Sequence, residues 1–293
     1  SRMADATVAA NQLPRERNFA DARGILNRIM LWIAFLTLSL ACIYPMIWLF
    51  LNGFKSTNEL FQSSWGIPQV WRWENFTTAW NYGISRYLLN SVIVAVATVA
   101  TELILASMAA YALVTMEFKG KFVIYMGILG GMILPPEVSL FPLFKVMAAT
   151  DLYNTYFALI LPNVAFGLPF TTFLIRAYMV GIPQDLREAA LMEGASEGMI
   201  FRSIYLPLCR PVLAAAGLIA AMRTWNEFIF ALTFVESESV KTVTIGIMSF
   251  AVALRADYGV MMAGLALSIL PILATFLILQ RQFIGGLTQG AVK

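Results

Sequence analysis

Histidine does not occur in this chain of 293 residues. Its absence removes the commonest general base and the commonest zinc ligand, which excludes a zinc protease. Cysteine is nearly as scarce. Cys42 lies in an apolar run and Cys209 just beyond Pro207, without metal-ligand spacing, so the two argue against a disulfide and read as buried small residues. Charge is thin as well: Asp, Glu, Lys and Arg make up 13% of the chain, against about a quarter in soluble domains. No G-x-x-x-x-G-K-[ST] loop is present, so the chain is not equipped to bind and split ATP by itself. Asp5, Asp21, Asp151, Asp185 and Asp257 all fall outside the long apolar runs, which leaves no aspartate pair for an intramembrane protease. A membrane-embedded enzyme therefore lacks a catalytic set.

What is abundant is apolar surface: 59% of residues are hydrophobic and the mean hydropathy is +0.74. Several runs exceed the roughly 20 residues a helix needs to cross the hydrocarbon core, and none alternates in the manner of an outer-membrane strand. The expected fold is an all-α membrane protein with six transmembrane helices, at about 29–51, 87–113, 122–144, 152–175, 211–234 and 258–279. These spans and their connections, 29–279, use nearly the whole chain. Residues 1–28 form a polar N-terminal tail and 280–293 a C-terminal tail. The first tail carries Arg2, Arg15, Arg17, Arg23 and Arg28 with no apolar core, which argues against a cleavable signal peptide. Ser1 and Arg2 precede Met3 and carry no functional weight.

The net charge of +3 is informative through its placement and is no sign of nucleic acid binding. With the amino terminus inside, thirteen Lys and Arg fall in inner segments and six in outer ones, and Arg223 within the fifth span completes the 20. Basic residues gather on the cytoplasmic side, so both termini are expected in the cytoplasm. The segment 55–86 contains Trp65, Trp71, Trp73 and Trp80, consistent with a layer at the membrane–water boundary or with a sugar-stacking platform. Glu102, Glu137, Arg223, Asn226 and Glu227 lie within the expected spans, where a charge must face protein or water. They are candidates for a solute pathway or for packing. Arg223 and Glu227, four apart, could also neutralise each other on one helical face. Glu137 follows Pro135-Pro136, where a broken helix could line a cavity.

The long polar insert at 176–210 is the exception in this apolar chain. Pro183 suits the first turn of a short helix with Asp185 and Glu188 near its positive end, and Gly194 suits its stop. Ser196 and Glu197 can open a second short helix ending before Pro207. On the first helix Leu186, Ala189 and Ala190 make a small apolar stripe, with Arg187 and Glu193 as charges at its rim. Taken alone, such a helix could lie on lipid headgroups.

The spacing of the insert is more specific. Glu188-Ala189-Ala190, Gly194, Ile204 and Leu206-Pro207 match every defined position of the cytoplasmic motif of ABC importer permeases. The chain resembles the smaller, MalG-like permease subunit of maltose-type bacterial sugar importers over about 29–293. Trp225-Asn226-Glu227-Phe228 and the tail from Gln282 to Lys293 agree with it.

The resemblance implies a type I ABC importer permease (MetI-like) fold with cytoplasmic coupling helices. It implies a second permease subunit, two ATPase subunits that hold ATP and Mg, and an extracytoplasmic sugar-binding protein, with no cofactor on this chain. The helix at Asp185 is similar to a coupling helix seated in an ATPase groove, with Glu188 giving a charge contact, Ala189 and Ala190 close approach and Gly194 the turn. The tail at Gln289 and Gly290 is similar to the family segment that reaches between the ATPase subunits, and the loop 235–257 to the one that probes the binding protein. The alternative from another class is a gradient-driven secondary transporter or channel with Glu102, Glu137 and Glu227 as ion sites.

Overall fold

The structure is a computed structural model that describes residues 13–253 and 257–291, with side chains described for 27–250 and 257–278. Every regular element among the described residues is helical. Helix α1 (Leu13–Gly53) is followed by the short α2 (Thr57–Gln62) and α3 (Glu74–Ala79), then a π-turn (Trp80–Ile84) that feeds α4 (Ser85–Thr115). Next come α5 (Lys121–Gly130), α6 (Leu140–Ala149) and α7 (Phe157–Met179). The polar insert folds as α8 (Asp185–Met192), α9 (Glu197–Ile200), a π-turn (Phe201–Tyr205) and α10 (Leu206–Leu208). Helices α11 (Arg210–Trp225), α12 (Ile229–Phe234), α13 (Val243–Ala253) and α14 (Tyr258–Ala291) complete the fold.

Among the described residues four helices can cross a membrane by length and composition, and six spans result if two bent pairs each count as one. Those four correspond to the first, second, fourth and sixth expected spans, the second being preceded by a kink at Gly83 (φ 136°). The third is broken at Pro135-Pro136, where Lys121–Ile133 and Pro136–Ala149 meet at 95°. Two consecutive prolines withhold two N–H donors, and Leu134 ahead of them is forced into an extended conformation (ψ 115°).

The fifth span differs from a single helix over 211–234. It bends by 77° from Glu197–Leu208 into Arg210–Trp225 at Cys209 and ends at Trp225, and α12 starts again at Ile229. Glu227 explains the restart, because its carboxylate accepts the N–H groups of Phe230 (2.6 Å) and Ala231 (3.1 Å) and so caps α12. The expected loop 235–257 contains the apolar helix α13, too short to read as a span. Both tails also run into helix, since α1 begins at Leu13 and α14 continues to Ala291.

Helix α4 packs most extensively on α7, and α11 lies against α4, α7 and α14, while α1 touches mainly α14. Among the described residues they enclose three apolar cores. One, at the α8 end, gathers Ala106, Tyr111, Ile175, Met179, Ile200, Tyr205, Cys209 and Val212. The other two, at the opposite end, centre on Ile84, Trp225 and Phe250 and on Leu159, Phe230 and Phe234. Cys209 is buried as expected, whereas Cys42 is exposed on α1, whose apolar face meets the surroundings along 29–47. A thiol in an apolar run need not be interior when the solvent is lipid.

Candidate functional site

Helix α8 is exposed at one end of the molecule, and its shape follows from its flanks. Leu186 N–H closes the first turn on the carbonyl of Pro183, so the proline precedes the helix rather than opening it. At the other end Gly194 takes φ +84°, and Gly194 N–H bonds Leu191 O (3.0 Å) while Ala195 N–H bonds Ala190 O (3.0 Å). This pair of bonds is the Schellman stop, which needs a left-handed residue at that position. Ser196 then caps α9, its hydroxyl accepting the Met199 N–H at 3.4 Å.

The exposed face of α8 carries Asp185, Leu186, Glu188, Ala189 and Met192, with Glu193 beside it. These residues recur at helical spacing and make an acidic surface with small and flexible apolar groups. Two expectations change. Ala190 turns inward against the core that holds Tyr205, so the adjacent alanines serve opposite faces. Arg187 also leaves the rim: its guanidinium donates from Nη2 and from Nε (3.4 Å) to the Glu197 carboxylate, and these bonds raise the guanidinium's pKa and lower the carboxyl's. Ile204 packs on the same core and Leu206 and Pro207 are half-buried, so these motif positions build the bend into α11 instead of the exposed face.

At mid-span a second polar group sits between the cores. Glu102 on α4 is fully buried and accepts from the Thr171 hydroxyl of α7 and from Arg223 Nη2 of α11 at 2.5 Å. The same Nη2 donates to the Asn163 carbonyl at 3.0 Å. The expected Arg223–Glu227 pairing does not form. The helix ends at Trp225, so Glu227 leaves the wheel on which Arg223 sits and serves α12 instead. Asn226 is exposed and bonds back to Met222 O at 2.8 Å. Glu137 is exposed in the break between the two halves of the third span.

The end opposite α8 is pinned by side chains that spacing did not single out. Asn90 donates to Ser239 O (2.9 Å) and Lys241 O (2.8 Å), and Ser91 accepts the Val243 N–H (2.8 Å). Asn154, at φ +58°, accepts the N–H groups of Glu236 and Ser237. Tyr87 and Lys241 both donate to Glu238 at 2.5 Å, and although loss of solvation opposes them, these bonds hold its exposed carboxyl below the usual range. A cleft of about 270 Å³ opens beside them, lined by Tyr82, Arg86, Tyr87, Glu238, Ser249 and Phe250. Trp65 stacks on Tyr44 at 5.7 Å and Trp71 and Trp73 lie edge-on to Phe54, so three of the tryptophans pack on the end of α1 or just beyond it. Gln289 and Gly290 lie in the last turns of α14, and the surroundings of both are outside the described residues.

Among the described residues the fold is an all-helical membrane domain with a broken third span and an exposed acidic helix. Residues 102–288 match the family described as binding-protein-dependent transport system inner membrane component, and the chain belongs to that family. The probable ABC transporter permease protein YurM of Bacillus subtilis (strain 168) is 42% identical over 262 residues, 89% of this chain and 87% of that one. The trehalose/maltose transport system permease protein MalG of Thermococcus litoralis is 34% identical, covering 92% of this chain and 98% of its own length. The fold also resembles a chain of a bacterial ABC transporter involved in alginate import, with a TM-score of 0.74 at 24% identity over 89% of this chain and 96% of that one. The family makes this chain a permease component and not an enzyme.

Proposed function

We propose that the chain forms half of the translocation pathway of an ATP-driven carbohydrate importer, beside a second permease subunit. Both termini and α8 face the cytoplasm, where two ATPase subunits supply ATP and Mg, and the end bearing Glu238 receives the sugar-loaded binding protein. The observation that carries this reading is the exposed, rigidly stopped α8, which presents Asp185, Glu188 and Glu193 around Ala189 and Met192. An acidic face with one small residue at its centre suits a basic groove that approaches closely, and electrostatic complementarity would set its register. The basic-residue bias supports the orientation. Carbohydrate as the solute rests on relatives such as the trehalose/maltose permease. In this reading Gln289 and Gly290 reach the ATPase pair, and the polar groups Glu102, Glu137, Arg223, Asn226 and Glu227 lie along or beside the path.

The test is purification of this chain from its native membrane. An ATPase subunit is expected to accompany it, and Asp185→Lys with Glu188→Lys is expected to weaken that association at least about tenfold, the effect of like charges facing each other. Uptake by this chain alone that collapses with an ionophore would refute the assignment.

A further inference from the structure

Arg187 directly precedes Glu188-Ala189-Ala190, yet its guanidinium points away from the exposed face of α8. It meets both oxygens of Glu197 at the start of α9, and Oε2 of the same carboxylate also accepts the Tyr111 hydroxyl of α4 at 2.5 Å. Tyr111 is itself nearly fully buried, wedged between Phe201 (5.2 Å between ring centroids) and Tyr205 (4.9 Å) of the π-turn that leads to α11. One carboxylate thus ties together α8, the long span α4 and the segment feeding α11.

We propose that Arg187, Glu197 and Tyr111 form a strut that passes displacements of α8 to α4 and α11, which makes Arg187 a positioning residue for coupling rather than a contact to a partner. The proposal rests on α8 being the ATPase-docking element. An isolated helix of eight residues is marginal, so its stiffness must come from tertiary contacts. Its inward apolar contact is Ala190, a single methyl, which resists sliding weakly. The charge-assisted bonds at Glu197 are directional and resist it more strongly. A lever of this kind transmits force only if its contacts survive in both arrangements of the spans, and the burial of Tyr111 and Tyr205 favours that.

The test uses the full importer, purified through this chain and reconstituted with its binding protein, with ATP hydrolysis and solute uptake measured together. Arg187→Ala and Glu197→Gln are expected to retain the ATPase subunit and near-normal hydrolysis, while solute moved per ATP falls about tenfold, within the usual range of coupling free energies. The exchange R187E/E197R is expected to recover most of that ratio. Tyr111→Phe, which keeps the ring packing, lowers the ratio by less and carries the test should the charge variants not assemble. Unchanged transport per ATP in all of these variants overturns the proposal. Loss of the ATPase subunit from Arg187→Ala but not from Glu197→Gln also overturns it, because Arg187 would then be a partner contact. A wild-type preparation without any ATPase subunit overturns the docking reading itself, and the strut with it.

Discussion

Gly167 shows how one missing methyl decides a membrane interior. A Cβ at this position would collide with both terminal nitrogens of Arg223 and with Glu102 Oε2, so the ion pair crosses α7 only where the residue is glycine. The pair matters because Glu102 is wholly buried, and a buried carboxylate stripped of its cation is costly. Gly167→Ala is therefore expected to lower stability by about 3 kcal/mol, the low end for breaking a buried pair, since Arg223 is partly exposed. Thermal unfolding of the purified protein in detergent checks it, and an unchanged Tm would remove the pair from the list of stabilising contacts. Glu102 and Arg223 were legible as costly intramembrane charges, but their pairing across 121 positions was not. Spacing offered Glu227 in its place, and that offer holds only while the helix continues.

Among the elements, α8 came closest to its expectation, because its stop is local. Gly194 has open space around it, so a substitution there meets no neighbour and is opposed only by the left-handed φ. Gly194→Val should then cost about 1–2 kcal/mol of local stability and fray the end of α8, whereas Gly194→Asn, which tolerates that conformation, should come near wild type. Solute moved per ATP in the reconstituted importer distinguishes them, and equal behaviour of the two variants would show that the turn does not need its shape. The division of labour between Ala189 and Ala190 was not legible. Both match the motif equally, and only the packing of α8 on the Tyr205 core sends one outward and the other inward. Helix α13 was missed for a related reason: a short apolar segment reads as loop until Tyr87 is found against Gly246 and Phe250 against Gly264.

At the scale of the whole molecule, α4 is the common member of three polar junctions. Tyr87, Asn90 and Ser91 hold the segment before α13, Glu102 joins α7 and α11 at mid-span, and Tyr111 meets Glu197 beside α8. From Tyr87 to Tyr111 the helix rises about 36 Å, at 1.5 Å per residue, which exceeds the hydrocarbon thickness. A movement at one end thus has a straight, hydrogen-bonded route to the other. This arrangement also makes the orientation testable. In a background lacking Cys42 and Cys209, a cysteine at Glu188 should react with an impermeant thiol reagent only from the cytoplasmic side. One at Glu236 should react only from outside. The reverse pattern would invert the reading of the basic-residue bias.

The sequence by itself determined the class: apolar runs of membrane-spanning length, the side on which basic residues gather, and the motif from Glu188 to Pro207. Those properties are local, set by hydropathy, by proline and glycine backbone preferences and by short spacings along one helix. Tertiary structure alone decided which polar groups meet, because Glu102 with Arg223, Tyr111 with Glu197 and Asn154 with Ser237 are each more than 80 positions apart. It also decided where the fifth span breaks: the helix ends at Trp225, Arg223 pairs with Glu102 on another helix, and Glu227 caps α12. A buried polar group takes whatever partner the packing brings to it, and no pattern along the chain records that choice.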